Sequence, residues 1–115
     1  MLRTKEFALR IIKLVDALPY SISGRAIGNQ IIRSGTSVGA NYRAALKARS
    51  NAEFVAKLRI VIEEADETIF WLEIIIDSKM IRRDLVLALL QEAREITAIM
   101  VSTCKTISNK INFKS

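Results

Sequence analysis

Residues 31–50 read IIRSGTSVGANYRAALKARS. The fold turns on whether this stretch is a glycine-rich loop or a helix. Gly28, Gly35 and Gly39 each cost a helix interior up to about 1 kcal/mol relative to Ala, and Thr36 and Val38 are β-branched. That allows a kink, or even a break, near Ser34-Gly35-Thr36. Advancing about 100° per residue, however, sorts the side chains by chemistry. Ile27, Ile31, Ser34, Val38, Tyr42 and Ala45 fall in one arc of roughly 80° and predict a core face. Arg25, Arg33, Arg43 and Lys47 fall in another, almost opposite. Gly28, Ile32, Gly35, Gly39 and Leu46 fill a sector of small or apolar residues between them. A loop has no reason to separate three chemistries in this way, so a helix over about residues 24–48 is expected.

The neighbouring segments repeat the helical period. Phe7, Ile11, Leu14 and Leu18 recur at the spacing of one helix face, predicting a first helix over 4–18. Thr4 is its candidate N-cap, and Pro19 stops it. Ser21 or Ser23 caps the second helix. Ser50 and Glu53 have the spacing of a capping box, opening a third helix over 50–77. Its stripe, Phe54, Leu58, Val61, Ala65, Thr68, Leu72 and Ile75, is flanked by a second apolar row at Val55, Ile62, Ile69 and Ile76. Asp84 is the candidate cap of a fourth helix over 84–109, carrying Val86, Leu89, Ala93, Ile96, Met100, Thr103 and Ile107. Residues 110–115 read as a frayed tail. The expected fold is all-α, a single domain over 1–115 built as an up-down-up-down four-helix bundle.

Composition narrows the function. The chain has no histidine, which removes the commonest general base and metal ligand. The carboxylates Glu63, Glu64, Asp66 and Glu67 suggest a di-iron bundle but lack the histidines such sites pair with them. A solvated or intersubunit acidic face is the expectation. Gly35 and Gly39 lack the Gly-Lys-Ser/Thr ending of a phosphate loop, so close helix packing explains them instead. Cys104 is alone and excludes an intrachain disulfide. It reads as a small buried hydrophobe in a protein of a reducing compartment. No apolar run approaches the ~18 residues of a membrane span, and Glu6, Arg10 and Lys13 interrupt any signal-like N-terminus. The expected location is the cytoplasm, with no cofactor, no metal and no enzymatic activity.

The positive signal is charge. Residues 24–60 hold seven Lys or Arg and one acid, whereas residues 61–78 hold six acids and no base, within a net charge of +6. Arg25, Arg33, Arg43, Lys47, Arg49, Lys57 and Arg59 are therefore the candidate nucleic-acid-binding residues, suited to phosphate contacts. Two aromatic residues, Tyr20 and Tyr42, are candidates to stack bases, with Tyr42 assigned to the core. The alternative is a protein–protein scaffold in which the basic and acidic blocks pair between subunits, placing Arg33 and Lys57 against Glu63 to Glu67 of a neighbour. The surplus apolar face of the third helix favours self-association, and Trp71 fits either the core or a subunit contact.

The order Leu18-Pro19, then Gln30-Ile31-Ile32-Arg33-Ser34-Gly35-Thr36-Ser37-Val38-Gly39-Ala40-Asn41, then Glu53-Phe54, Lys57-Leu58 and Glu63-Glu64-Ala65-Asp66-Glu67 resembles a bacterial four-helix-bundle family. It is the family first described from proteins encoded in intervening sequences of 23S ribosomal RNA genes. The resemblance spans about residues 5–107. It implies a ring-like pentamer and no established enzymatic activity. It also implies kinship with the accessory protein of diversity-generating retroelements, which binds RNA and a reverse transcriptase through a basic surface. Arg33, Ser34, Ser37, Asn41, Glu53 and Phe54 match the family motif and are expected to be mainly structural. Where many members carry an acid and a glycine after the motif Asn, this chain has Tyr42-Arg43-Ala44-Ala45, which makes the local surface more basic.

Overall fold

Four helices account for nearly all of the residues that a computed structural model describes, 2–114, with side chains over 3–112. They are α1 (Leu2–Ala17), α2 (Ile22–Ala45), α3 (Asn51–Ser78) and α4 (Arg83–Lys114). Each packs on its sequence neighbour, and α4 closes back on α1, the sparsest of the four contacts. The short connections make successive helices antiparallel. The result is an up-down-up-down bundle with extents of 52 × 22 × 20 Å.

The stretch that posed the loop-or-helix question is unbroken α-helix from Ile22 to Ala45. Its glycines meet α1. A methyl group added at Gly35 would lie 2.8 Å from Ile11 Cγ1 and 2.9 Å from Cγ2, so the branched Ile11 side chain occupies the space a Cβ would need. Gly28 faces Val15 and Leu18 at 3.3 and 3.6 Å, and Gly39 faces the Thr4 backbone. Close packing against α1 therefore accounts for glycine at position 35, while the contacts at 28 and 39 are looser. At the α1–α2 turn, a Cβ on Gly24 would overlap the Pro19 carbonyl oxygen.

The core follows the predicted stripes except that Val55 rather than Phe54 is buried on α3 and Cys104 rather than Thr103 on α4, while Leu18, Phe54 and Ile107 are partly buried. Ile31, Ser34, Val38 and Ala45 of α2 are buried with Phe7, Ile11 and Leu14 of α1, and Ile27 and Tyr42 pack partly buried at its margin. From α3 come Val55, Leu58, Val61, Ala65, Thr68, Leu72 and Ile75; from α4 come Val86, Leu89, Ala93, Ile96, Met100 and Cys104. Thr4, Ser34 and Thr68 are the buried hydroxyl residues among the described side chains, and the last two meet within the apolar interior. Thr68 Oγ1 bonds both Ser34 Oγ, at 3.0 Å, and the Glu64 carbonyl, at 2.8 Å. Both hydroxyls are thereby partnered, which spares the cost of burying a bare polar group.

Several ends differ from expectation. α1 begins at Leu2, so Thr4 is not its cap; it lies inside the helix, buried against Gly39 of α2. Ser21 caps α2, its hydroxyl accepting from the Gly24 N–H at 3.0 Å. α2 ends at Ala45 rather than Ala48: the Leu46 amide still reaches Tyr42 O, but the Lys47 and Ala48 amides bond three residues back instead of four. Ser50 caps α3 as predicted, while Glu53 reaches back to the Arg49 amide, one residue beyond the capping-box partner. Lys79 closes α3 in the left-handed region with φ 58°. Asp84 sits in the first turn of α4 and is held by Arg82 at 2.8 Å rather than capping the helix. α4 stays helical to Lys114, through the segment expected to fray at 110; Ser115 lies outside the described residues. Ile107 and Ile111 still pack on the core there.

Candidate nucleic-acid interface

The seven candidate cations separate into groups with different local chemistry. Arg33 is committed within its own chain. Its Nη1 donates to Glu64 Oε2 at 3.0 Å, and its Nη2 donates to Glu67 Oε2. Trp71 Nε1 donates to the same Glu67 oxygen at 3.2 Å. These donors, Arg33 foremost, hold the Glu67 carboxyl below its ordinary range, and the Glu67 bond chiefly holds the guanidinium above its own. The pairing expected between Arg33 and a neighbouring subunit's acids is therefore made within the chain. Antiparallel packing and the adjacent Ser34–Thr68 contact bring these groups to one level of the bundle.

Lys57 bonds Glu53 across one helical turn at 3.3 Å. Glu53 also accepts the Arg49 amide, and that bond, reinforced by Lys57, lowers its pKa. Lys57, expected against acids 63–67 of a neighbouring subunit, pairs within its own chain with Glu53 of α3. Arg25 lies at the opposite end of α2, over the Tyr20 ring at 4.8 Å from its centroid. Tyr20 is itself exposed.

Arg43, Lys47, Arg49 and Arg59 remain. All four are exposed, and among the described residues no carboxylate pairs with their side chains. They lie in the last turns of α2, the following turn and the start of α3. Since Ser34 lies beside Thr68 in antiparallel helices, Arg43 and Arg59 fall at about the same height along the bundle. A further cation, Lys5 of α1, shares a groove with Arg43. Sequence reasoning missed Lys5 because only the docking of α1 on the α2 glycines brings the two together.

The remaining motif residues bond to their own helix. Thr36 and Ser37 donate to the Ile32 and Arg33 carbonyls, and the Asn41 amide donates to Ser37 O. On the acidic side, Glu63, Asp66 and Asp77 are exposed and unpaired among the described residues, near exposed Ile60 and Phe70. Trp71 is half-buried and meets Phe70 edge-on, with centroids 5.0 Å apart. Among the described residues no three His, Cys, Asp or Glu side chains gather as a metal site, and Cys104 is buried. No helix among them is long and apolar enough to cross a membrane.

Comparison with known proteins agrees with this architecture. A family described as 23S rRNA-intervening sequence protein matches residues 2–102. The chain is also similar to a crystal structure from Bacteroides thetaiotaomicron, described as a protein with unknown function from the S23 ribosomal protein family. The two are 39% identical and superpose with a TM-score of 0.84, covering 90% of this chain and 95% of that one. No curated protein matches the chain significantly.

Proposed function

This chain belongs to the 23S rRNA-intervening sequence protein family, and from that premise we propose that it is a non-enzymatic, self-assembling cytoplasmic protein that binds RNA. The observation that carries this reading is the group Arg43, Lys47, Arg49 and Arg59, exposed and unpaired among the described residues. Unpaired cations are free to displace counterions from a phosphate backbone, whereas Arg33 and Lys57 must first release their own carboxylates. The RNA surface is accordingly narrower than the seven cations singled out in the sequence, and it centres on the α2–α3 end. Assembly would multiply the patch and raise avidity without new contacts. A reverse transcriptase partner, and the pentameric state, rest on the family resemblance alone.

Binding of a structured RNA at two salt concentrations tests the reading. Log affinity should fall with log salt at a slope of roughly −0.7 to −0.9 per phosphate neutralised. The double charge reversal R43E/K47E should weaken binding by more than about tenfold while leaving helicity unchanged, since both residues are exposed. Wild-type affinity in that variant would remove this surface from consideration.

The second reading, a scaffold joined through protein contacts, is favoured by one observation. Exposed Ile60 and Phe70 lie on the same helix as Glu63 and Asp66, which are unpaired among the described residues. This apolar and acidic face of α3 suits a partner surface carrying apolar and basic groups, which a second copy of the chain also presents.

A further inference from the structure

A groove of about 530 Å³ runs between the first half of α1 and the last half of α2. It flanks the point where Gly39 meets α1, with the Thr4 backbone 3.4 Å from the position a Cβ would take. Ala8, Gly39, Ala40 and Tyr42 supply its apolar lining, Thr4 and Thr36 add hydroxyl side chains, and Lys5 and Arg43 carry the charge. Among the described residues no carboxylate lines it, and neither cation has an acidic partner.

This combination selects a kind of occupant. Its volume falls in the range of roughly 300–1,000 Å³ typical of small-ligand sites. A purely apolar occupant would leave two cations without use. A bare inorganic anion would engage the cations and leave the apolar lining and the tyrosine ring uncovered. An anion with a flat, weakly polar body uses both, and in a nucleotide those features are a phosphate and a base. A base can leave its stack to meet a protein aromatic only where the strand is single, since a duplex keeps its bases paired and turned inward.

We propose that this groove seats one nucleotide of a single-stranded nucleic acid, with the base against Tyr42 and the phosphate between Lys5 and Arg43. The inference rests on the RNA-binding reading and adds a base-contacting subsite to a surface otherwise limited to phosphate contacts. It also gives Tyr42 a role in addition to its packing at the edge of the core.

Two substitutions that leave the charge unchanged test it in the full chain. A40L fills the groove from an exposed position on α2, and Y42L keeps an apolar side chain while removing the ring. Affinity is read by fluorescence anisotropy with a short labelled oligouridylate and with a labelled RNA duplex. Each substitution should weaken the single strand by roughly tenfold and leave the duplex at wild-type affinity. Equal losses on both RNAs would mean general damage, and unchanged single-strand binding would mean an unused groove; either overturns the subsite while the phosphate-binding surface stands. Failure of the wild-type chain to bind either RNA would overturn the RNA reading itself, and the subsite with it. Amide shifts in nuclear magnetic resonance separate the ligand sources. Uridine monophosphate should perturb Ala8, Gly39 and Ala40, and inorganic phosphate should not; identical shifts from both would overturn the role given to the base.

Discussion

Glycines that look alike in the sequence have opposite energetic meanings once α1 is in place. At Gly35 a methyl group would press on the Cβ and both γ carbons of Ile11, and these atoms are anchored in the core. The overpacking penalty, about 1–3 kcal/mol, exceeds the helix-propensity gain of up to about 1 kcal/mol. Gly35→Ala should therefore destabilise the chain by roughly 1 kcal/mol, and Gly35→Val by more. At Gly39 the nearest atom lies 3.4 Å from the added carbon, which is ordinary contact. Gly39→Ala should be neutral or stabilising by up to about 1 kcal/mol. Urea denaturation midpoints of the two variants, moving in different directions or by clearly different amounts, check the assignment. The sequence placed both glycines on a close-packing face of α2. It could not rank them, because the ranking depends on which α1 side chain stands opposite.

At the scale of helices, α2 and α3 are joined by Arg33, Glu64 and Glu67, and the pH behaviour of that junction has a definite sign. Glu67 titrates below its ordinary value, chiefly because Arg33 bonds it and secondarily because Trp71 does. Glu53 is lowered first by the Arg49 amide and then by Lys57, and Glu92 by Arg3 of α1, which bonds it at 2.7 Å. A carboxyl that is more acidic when folded binds fewer protons than it does unfolded. Its stabilising contribution is therefore complete above the ordinary carboxylate value and is lost as pH falls through the folded value. The denaturation midpoint should stay level from neutrality to about pH 5 and then drop, with a shallower drop in Glu67→Gln. An equally steep drop in that variant would show that Glu67 contributes nothing to the acid limb. The charge blocks that meet here were visible in the sequence. Their pairing within one chain was not, because spacing along a helix says nothing of which neighbour lies across from it.

For the molecule as a whole, the bundle and its core stripes were readable from periodicity alone, whereas the groove and Lys5 depended on how far α1 extends along α2. The surface left over is divided by charge and by polarity. Ile60 and Phe70 on α3 and Leu87 and Val101 on α4 are exposed, apolar surface that self-association would cover. Size-exclusion chromatography with light scattering should find a mass several times 12.9 kDa, reduced in Phe70→Lys; a monomeric wild-type chain would count against assembly. The Ser34–Thr68 contact has one more consequence. Along the α3 stripe from Leu58 to Ile75, Thr68 is the only buried polar side chain. If α2 slid by a turn in either direction, the Ser34 hydroxyl would face Ala65 or Leu72, and Arg33 would leave its two carboxylates. Apolar stripes tolerate such sliding, since one leucine resembles another. A single polar layer does not, so it acts as an alignment mark that penalises the mis-set bundles an otherwise uniform core would allow.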